Sequence, residues 1–236
     1  DASAHMWLWL GASSVAGFLI GDYCVIRALI AIGSRLTTLV MAATPLWTAL
    51  LGWLVLGEAP SLRDATAMLL VVGGIGWAVM DRPKTESSKT HLRSLAAGVG
   101  LATIGAIGQA TGLVLSKFGM GDTDAFVASQ IRVAVGVLGY ICVCTAVGWW
   151  PKVVEAARSF RVMGPTLFGA LFGPFLGVAL SLLAVQLARN AGVAATLMSI
   201  APILIIPVSL ARGERVGLGG WLGACLAVAG VTLLVL

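Results

Sequence analysis

One acid stands well inside an apolar stretch of this chain: Asp22, in Gly21-Asp-Tyr-Cys-Val-Ile-Arg27. If that stretch crosses a bilayer, the aspartate costs about 2.5–3.5 kcal/mol to insert, so it should face a protein interior and have a partner. Arg27 lies on the same helix but about 500° of turn away, so the two do not share a face. The partner is expected on another helix, with Lys117 or Arg132 as the candidates. Asp22 then reads either as a substrate or proton site or as an interhelical ion pair that fixes assembly. Gln109, in Ala106-Ile-Gly-Gln-Ala-Thr-Gly112, is a second polar group at depth. A buried amide must bond across helices or contact a solute. Lys117 and Arg132 lie nearer the ends of their apolar runs, as do Gln186 and Arg189, and long cations there ordinarily snorkel to the interface.

Prolines supply the next chemistry. Pro45 and Pro202 fall near the middle of apolar runs. Each removes a helical hydrogen bond and frees the carbonyl four residues back, at Met41 and Met198. Pro174 and Pro207 do the same to Ala170 and Ile203. A bare carbonyl is tolerated in a bilayer only where protein or a watery cavity covers it. The kinked pair therefore either lines a central path or improves packing. Asp22, Met41, Pro45, Gln109, Lys117, Arg132, Met198 and Pro202 make up the candidate solute-binding set. No catalytic or metal set emerges. Both histidines, His5 and His91, are expected outside the spans, so Ser-His and zinc chemistry lack a base or ligand. Cys24, Cys142, Cys144 and Cys225 lie inside apolar runs and read as small buried hydrophobes. No cofactor is expected.

The elements that must position these groups follow from composition. Of 236 residues, 59 % are hydrophobic and 11 % charged, and the mean hydropathy is +1.00. Soluble domains run near about 45–50 % apolar and about 25 % charged, so a soluble fold is excluded, and disorder with it. The apolar runs are continuous rather than alternating, which argues against a β-barrel. An all-α membrane protein remains, with room for roughly eight helices. The net charge of +5 comes from residues between apolar runs, without the interleaved aromatics of a nucleic-acid surface. Eight spans are expected near 6–32, 36–57, 62–80, 94–117, 125–149, 162–188, 192–211 and 217–236, joined by tight turns. Glu58 and Glu214 follow Gly57 and Gly213 at helix ends and read as turn-fixing. Gly17 with Gly21, Gly108 with Gly112, and Gly169, Gly173 and Gly177 form small-residue ridges suited to helix packing.

The one linker of soluble composition is 81–91, and the segments on either side of it look related. Met41-Ala-Ala-Thr-Pro45 lies on Met198-Ser-Ile-Ala-Pro202 at an offset of 157 residues. Gly57-Glu58 and Gly213-Glu214 follow, and then the apolar stretches Val71–Gly76 and Ala227–Gly230. Residues 1–80 are thus expected to hold the last three helices of a first repeat, and residues 92–236 a complete second repeat of five. Two helices, on the order of 65 residues, would precede residue 1, giving eight spans of ten. Five spans per repeat invert the second copy, an architecture that puts a ligand site near the midplane between the copies.

The stretch Gly21–Arg35, followed by Met41–Pro45 and Leu56-Gly-Glu58, resembles the EamA family of the drug/metabolite transporter superfamily. Gly173-Pro-Phe-Leu-Gly177, Gly192–Pro202 and Gly213-Glu214 extend the resemblance over nearly the whole chain. It implies ten helices in two inverted five-helix repeats, a central substrate cavity, and transport of amino acids, other metabolites or drugs. The expected function is transport of a small solute by alternating access across a bacterial or archaeal inner membrane, coupled to protons, to a counter-solute or to neither. No enzyme activity, nucleic acid or particular oligomer is implied. Orientation stays open. Arg35, Arg82, Lys84, Lys89 and Arg93 gather on one side with Lys152, Arg158, Arg161, Arg212 and Arg215, which places the linker in the cytoplasm; the resemblance, with both termini cytoplasmic, places it outside. Two rival classes are an intramembrane enzyme and a non-transporting scaffold. Gly21-Asp22 resembles part of an intramembrane aspartyl protease site, but Leu19 stands where a glycine is needed and no second deep aspartate follows. A scaffold would have a dry interior without a midplane void.

Overall fold

The computed structural model describes residues 4–80, 92–199 and 218–235, and these are helical apart from short turns. The linker, His91, Pro202, Pro207 and Glu214 lie outside the described residues. The elements are α1 (Ala4–Ser14), a π-helical segment π1 (Val15–Asp22), α2 (Tyr23–Met41), α3 (Thr44–Leu56), α4 (Leu62–Met80), α5 (Leu92–Met120), α6 (Ala125–Val147), α7 (Trp150–Arg158), α8 (Phe160–Ala170), a second π-helical segment π2 (Leu171–Gly177), α9 (Val178–Leu187), α10 (Ala191–Met198) and α11 (Leu218–Val235). Five stretches among the described residues are long and apolar enough to cross a membrane: Ala4–Ser34, Leu36–Leu56, Leu95–Met120, Ala125–Val147 and Met163–Leu187. The chain is thus an all-α bundle of multi-span membrane character.

Local chemistry sets the helix ends. Gly33 adopts φ 77°, ψ 167° and breaks α2 where the first span gives way to the second. Gly57 caps α3 at φ 70°, a left-handed conformation that favours glycine. Ser61 and Asp64 cap the start of α4 reciprocally, each side chain accepting the other's backbone N–H at 3.1 Å. Asp124 opens α6 by accepting from the amides of Phe126 and Val127, and Asn190 opens α10 by accepting from Val193.

Burial follows the rule for helices in lipid rather than in water. Ala28, Ala102, Ala106, Ala110, Ala128 and Ala194 are fully buried, together with Ser13, Ser116 and Thr196. Ile30, Leu54, Leu62, Phe168 and Trp221 face outward. Hydrocarbon tails are as apolar as leucine, so helices gain nothing by hiding leucine and gain by close backbone approach through small residues. α5 is the axis of the bundle and packs against α1, π1, α2 and α3. The expected glycine ridges meet there. A methyl placed on Gly112 would lie 3.0 Å from the Gly17 Cα, and one on Gly108 would lie 3.0 Å from the Gly21 Cα. α4 and α11 form a second close pair, with Gly74 against Ala227 and Gly230 against Val71.

Three expectations need correction. Gly169 and Gly173 face open space and pack against no helix, so that ridge is not a contact. Cys24 is buried, but Cys142 and Cys225 are exposed, because they fall on outward faces where lipid suffices as a neighbour. His5 is not outside the helices. It lies in the first turn of α1, its ring 5.6 Å from that of Phe118, in an aromatic group with Trp9.

The two glycine classes should respond oppositely to substitution. A side chain on Gly230 meets the Ala67 carbonyl oxygen at 2.8 Å and the Val71 nitrogen at 2.9 Å. Gly230→Val should destabilise the bundle by about 1–3 kcal/mol, as overpacking does. Gly169→Ala should be neutral or raise stability by about 0.5–1 kcal/mol, because a helical glycine loses entropy that alanine does not. Thermal melting of the two variants in one detergent checks both.

Candidate functional site

An open cleft in two lobes lies where π1, α5 and α6 meet π2 and α9. One, of about 410 Å³, is lined by Met41, Thr44, Pro45, Leu113, Arg132, Ser181, Met198 and Ser199 among others. The other, of about 420 Å³, is lined by Asp22, Val133, Gly136, Val137 and Tyr140. Phe18, Gln109, Gly173 and Val178 border both lobes, so the two adjoin. Its walls come from residues on both sides of the 81–91 linker.

Each polar group in the cleft is set by a specific local feature. The Gly17/Gly112 and Gly21/Gly108 approach brings π1 onto α5, and the Gln109 Nε2 then donates to the Asp22 Oδ1 at 2.5 Å. The partner of Asp22 is thus an amide, and neither cation forms an ion pair with it among the described residues. Pro45 sits in the first turn of α3, and its kink lets α2 end at Met41. The carbonyl freed at Met41 is taken by the Thr44 hydroxyl at 2.6 Å. Tyr140 donates its hydroxyl to the Phe18 carbonyl at 2.8 Å, meeting a backbone group that the π-helical segment leaves accessible.

Arg132 departs from its expected place at the interface. It is 5 % exposed, with its guanidinium carbon 4.8 Å from the centre of the Phe18 ring. Gly17 leaves the space it occupies: a methyl there would lie 3.2 Å from the Arg132 Nη2. Gly136, one turn on, admits Phe18 in return. Lys117 also departs from expectation and does not line the cleft. Its Nζ pairs with the Glu58 Oε1 at 2.7 Å. The Glu58 Oε2 accepts from the backbone nitrogen of Ala191 at 2.8 Å. Glu58 therefore fixes more than its own turn, tying the end of α3 to α5 and to the N-terminus of α10, where a carboxylate meets a favourable dipole. Asn190 donates to the Asp64 Oδ2 at 3.4 Å beside it.

Of the candidate residues, the cleft brings together Asp22, Met41, Pro45, Gln109, Arg132 and Met198. Lys117 belongs to the end cluster, and Pro202 lies outside the described residues. Sequence reasoning missed Phe18 and Tyr140. Phe18 stands four residues before Asp22 and Tyr140 eight after Arg132, so helical spacing from the polar groups was the available signal. Among the described residues no group of three or more His, Cys, Asp or Glu side chains comes together to hold a metal.

Entry of water into the cleft would give a labelling pattern. With the four native cysteines replaced by serine or alanine, Met41→Cys and Met198→Cys should react with a membrane-impermeant methanethiosulfonate reagent. Leu182→Cys, at a fully buried packing position, should not react. Equal protection of all three would show a dry interior.

Comparison with known proteins adds the family. No curated protein matches the chain. The model of the EamA-like transporter family matches residues 1–80 and 96–236. The two matched stretches flank the linker and contain every residue of the cleft, and the chain belongs to the EamA-like transporter family.

Proposed function

We propose that this chain moves a small solute across a bacterial or archaeal inner membrane by alternating access, with residues 1–80 and 92–236 acting as inverted copies around the cleft. Membership of a transporter family and multi-span helical architecture support a transport role. The observation that carries the finer reading is the cleft itself, bordered from both copies by the matched Met41 and Met198. Each of these methionines is the last residue of its helix.

Two further matches support paired copies. Moved by the same 157 residues, π1 at Val15–Asp22 falls almost on π2 at Leu171–Gly177, and α4 at Leu62–Met80 falls on α11 at Leu218–Val235. The contact between α4 and α11 is also reciprocal. Gly74 meets Ala227, while Gly230, near the counterpart of Gly74, meets Val71, near the counterpart of Ala227. Self-complementary contacts of that kind arise when two like units meet across a two-fold axis. A site at such an axis can open to either side by rocking one copy against the other.

In this reading the chain performs no covalent chemistry. Gln109 and Asp22 are the polar floor of one lobe, and Asp22 is the coupling acid, since it is a carboxylate on the cleft whose hydrogen bond comes from a neutral amide and which has no cation in direct contact among the described residues. The chain reconstituted in lipid vesicles should move at least one solute from a panel of amino acids, organic acids and amphipathic drugs faster than protein-free vesicles leak it. An imposed pH gradient should change that rate, and Asp22→Asn should make it indifferent to the gradient. Vesicles that move no member of the panel overturn the transport reading. A rate that keeps its pH response in the Asp22→Asn variant overturns the role of the aspartate alone.

A further inference from the structure

Arg132 is the polar group in the cleft whose hydrogen-bonding capacity is least used. Its Nε is buried and has no hydrogen-bond partner among the described residues. The one ion pair among those residues is Lys117 with Glu58, so no described carboxylate lies within 4.0 Å of the Arg132 guanidinium. Its close neighbours are the face of Phe18 and the bare backbone at Gly17. The residue's own backbone is pinned, because the Ser14 hydroxyl donates to the Arg132 carbonyl at 2.7 Å. A permanently charged group thus stands at the wall of a cleft, with the Asp22 carboxylate acting on it from a distance but no ion pair or hydrogen bond to its guanidinium among the described residues.

Such an arrangement is costly unless something completes it. A buried charge without a counter-ion in contact loses its hydration, and a carboxylate at longer range returns only part of it. Phe18 recovers part through its ring face. The remaining edge of a guanidinium is a planar fork of N–H donors that matches a carboxylate in two parallel bonds. We infer that Arg132 is the anion anchor of this cleft, and that the transported solute carries a carboxylate on a largely apolar body. This rests on the transport reading above and adds the substrate class to it.

Two features select a monoanion with an apolar body. Asp22 faces the adjoining lobe, and its negative charge would repel a second charge on the solute. A phosphate monoester carries about −1.5 to −2 at neutral pH, more than one guanidinium neutralises. The walls around Arg132 are mainly apolar, with Met41, Leu113, Val178 and Met198 among them. They suit an aliphatic or aromatic group that needs no further hydrogen bonds.

The test uses matched probes and reads binding, not flux. The purified chain in detergent is melted with phenylacetate, with phenylacetamide and with phenyl phosphate, at constant ionic strength. Phenylacetate should raise the melting temperature in a saturable way, and the amide and the phosphate should raise it far less. Arg132→Gln should weaken the apparent affinity for phenylacetate by about tenfold or more, the scale of a lost charge-assisted hydrogen bond. Arg132→Lys should keep part of it. Arg27→Gln, which removes an exposed cation stacked on Tyr23, should leave it unchanged. Equal shifts from acid and amide, no shift from either, or a stronger shift from phenyl phosphate each overturn the inference on the unmodified protein, whether or not the variants fold. Solute flux without carboxylate preference would sink this inference and leave transport standing. Carboxylate binding through Arg132 without flux would do the reverse.

Discussion

The approach of π1 to α5 is the contact on which the interior depends. Gly17 and Gly21 meet Gly112 and Gly108 with backbone against backbone. Lipid offers no hydrophobic drive for helices to associate, so the gain must come from dispersion at short range, and only glycine permits that range. The strongest polar groups of the cleft depend on this crossing. It sets Asp22 beside Gln109, opens the space that the Arg132 guanidinium fills at Gly17, and leaves Phe18 on the cleft wall. A methyl group at Gly108, Gly112 or Gly21 would press on facing backbone, and one at Gly17 would press on the Arg132 guanidinium.

Charge is handled in two ways in the one bundle. At one end Lys117 pairs with Glu58, Asn190 donates to Asp64, and Glu58 also takes the helix-starting amide of the buried Ala191, across α3, α4, α5 and α10. That cluster is closed: each oxygen of Glu58 has a donor, and a carboxylate sits at a helix N-terminus. In the cleft the groups are only half satisfied. Asp22 takes one amide, and the Arg132 Nε takes nothing among the described residues. Assembly is served by saturated pairs, and recognition by unsaturated ones, because only an unfilled valence in a dry wall gains by meeting a solute.

Irregular backbone gathers where the cleft is. α2 ends at Met41, and π1 and π2 replace ordinary helix beside it. In each case a side chain recovers a loosened carbonyl: Thr44 at Met41, Tyr140 at Phe18, Ser181 at Gly177. Such breaks survive in a bilayer because protein covers them. They also supply the points at which a helix bends at least cost, which is what a rocking carrier needs of its inner helices.

Much of this was legible in the residues alone. Composition alone required an all-α membrane bundle, and glycine, proline and capping side chains marked where helices stop, as at Gly57, Asn190 and Met41. The pairing of Gly17 and Gly21 with another ridge was visible in their spacing. These features act within one helix, where 3.6 residues per turn ties sequence to geometry. The partners of the charged side chains were not legible. Lys117 went to Glu58 rather than Asp22, Arg132 was buried rather than drawn to the interface, and Gly173 came to line the cleft rather than a helix contact. Those outcomes depend on how far each helix is rotated and slid against its neighbours. Tertiary packing alone sets that, since in lipid any face of an apolar helix is equally content outside.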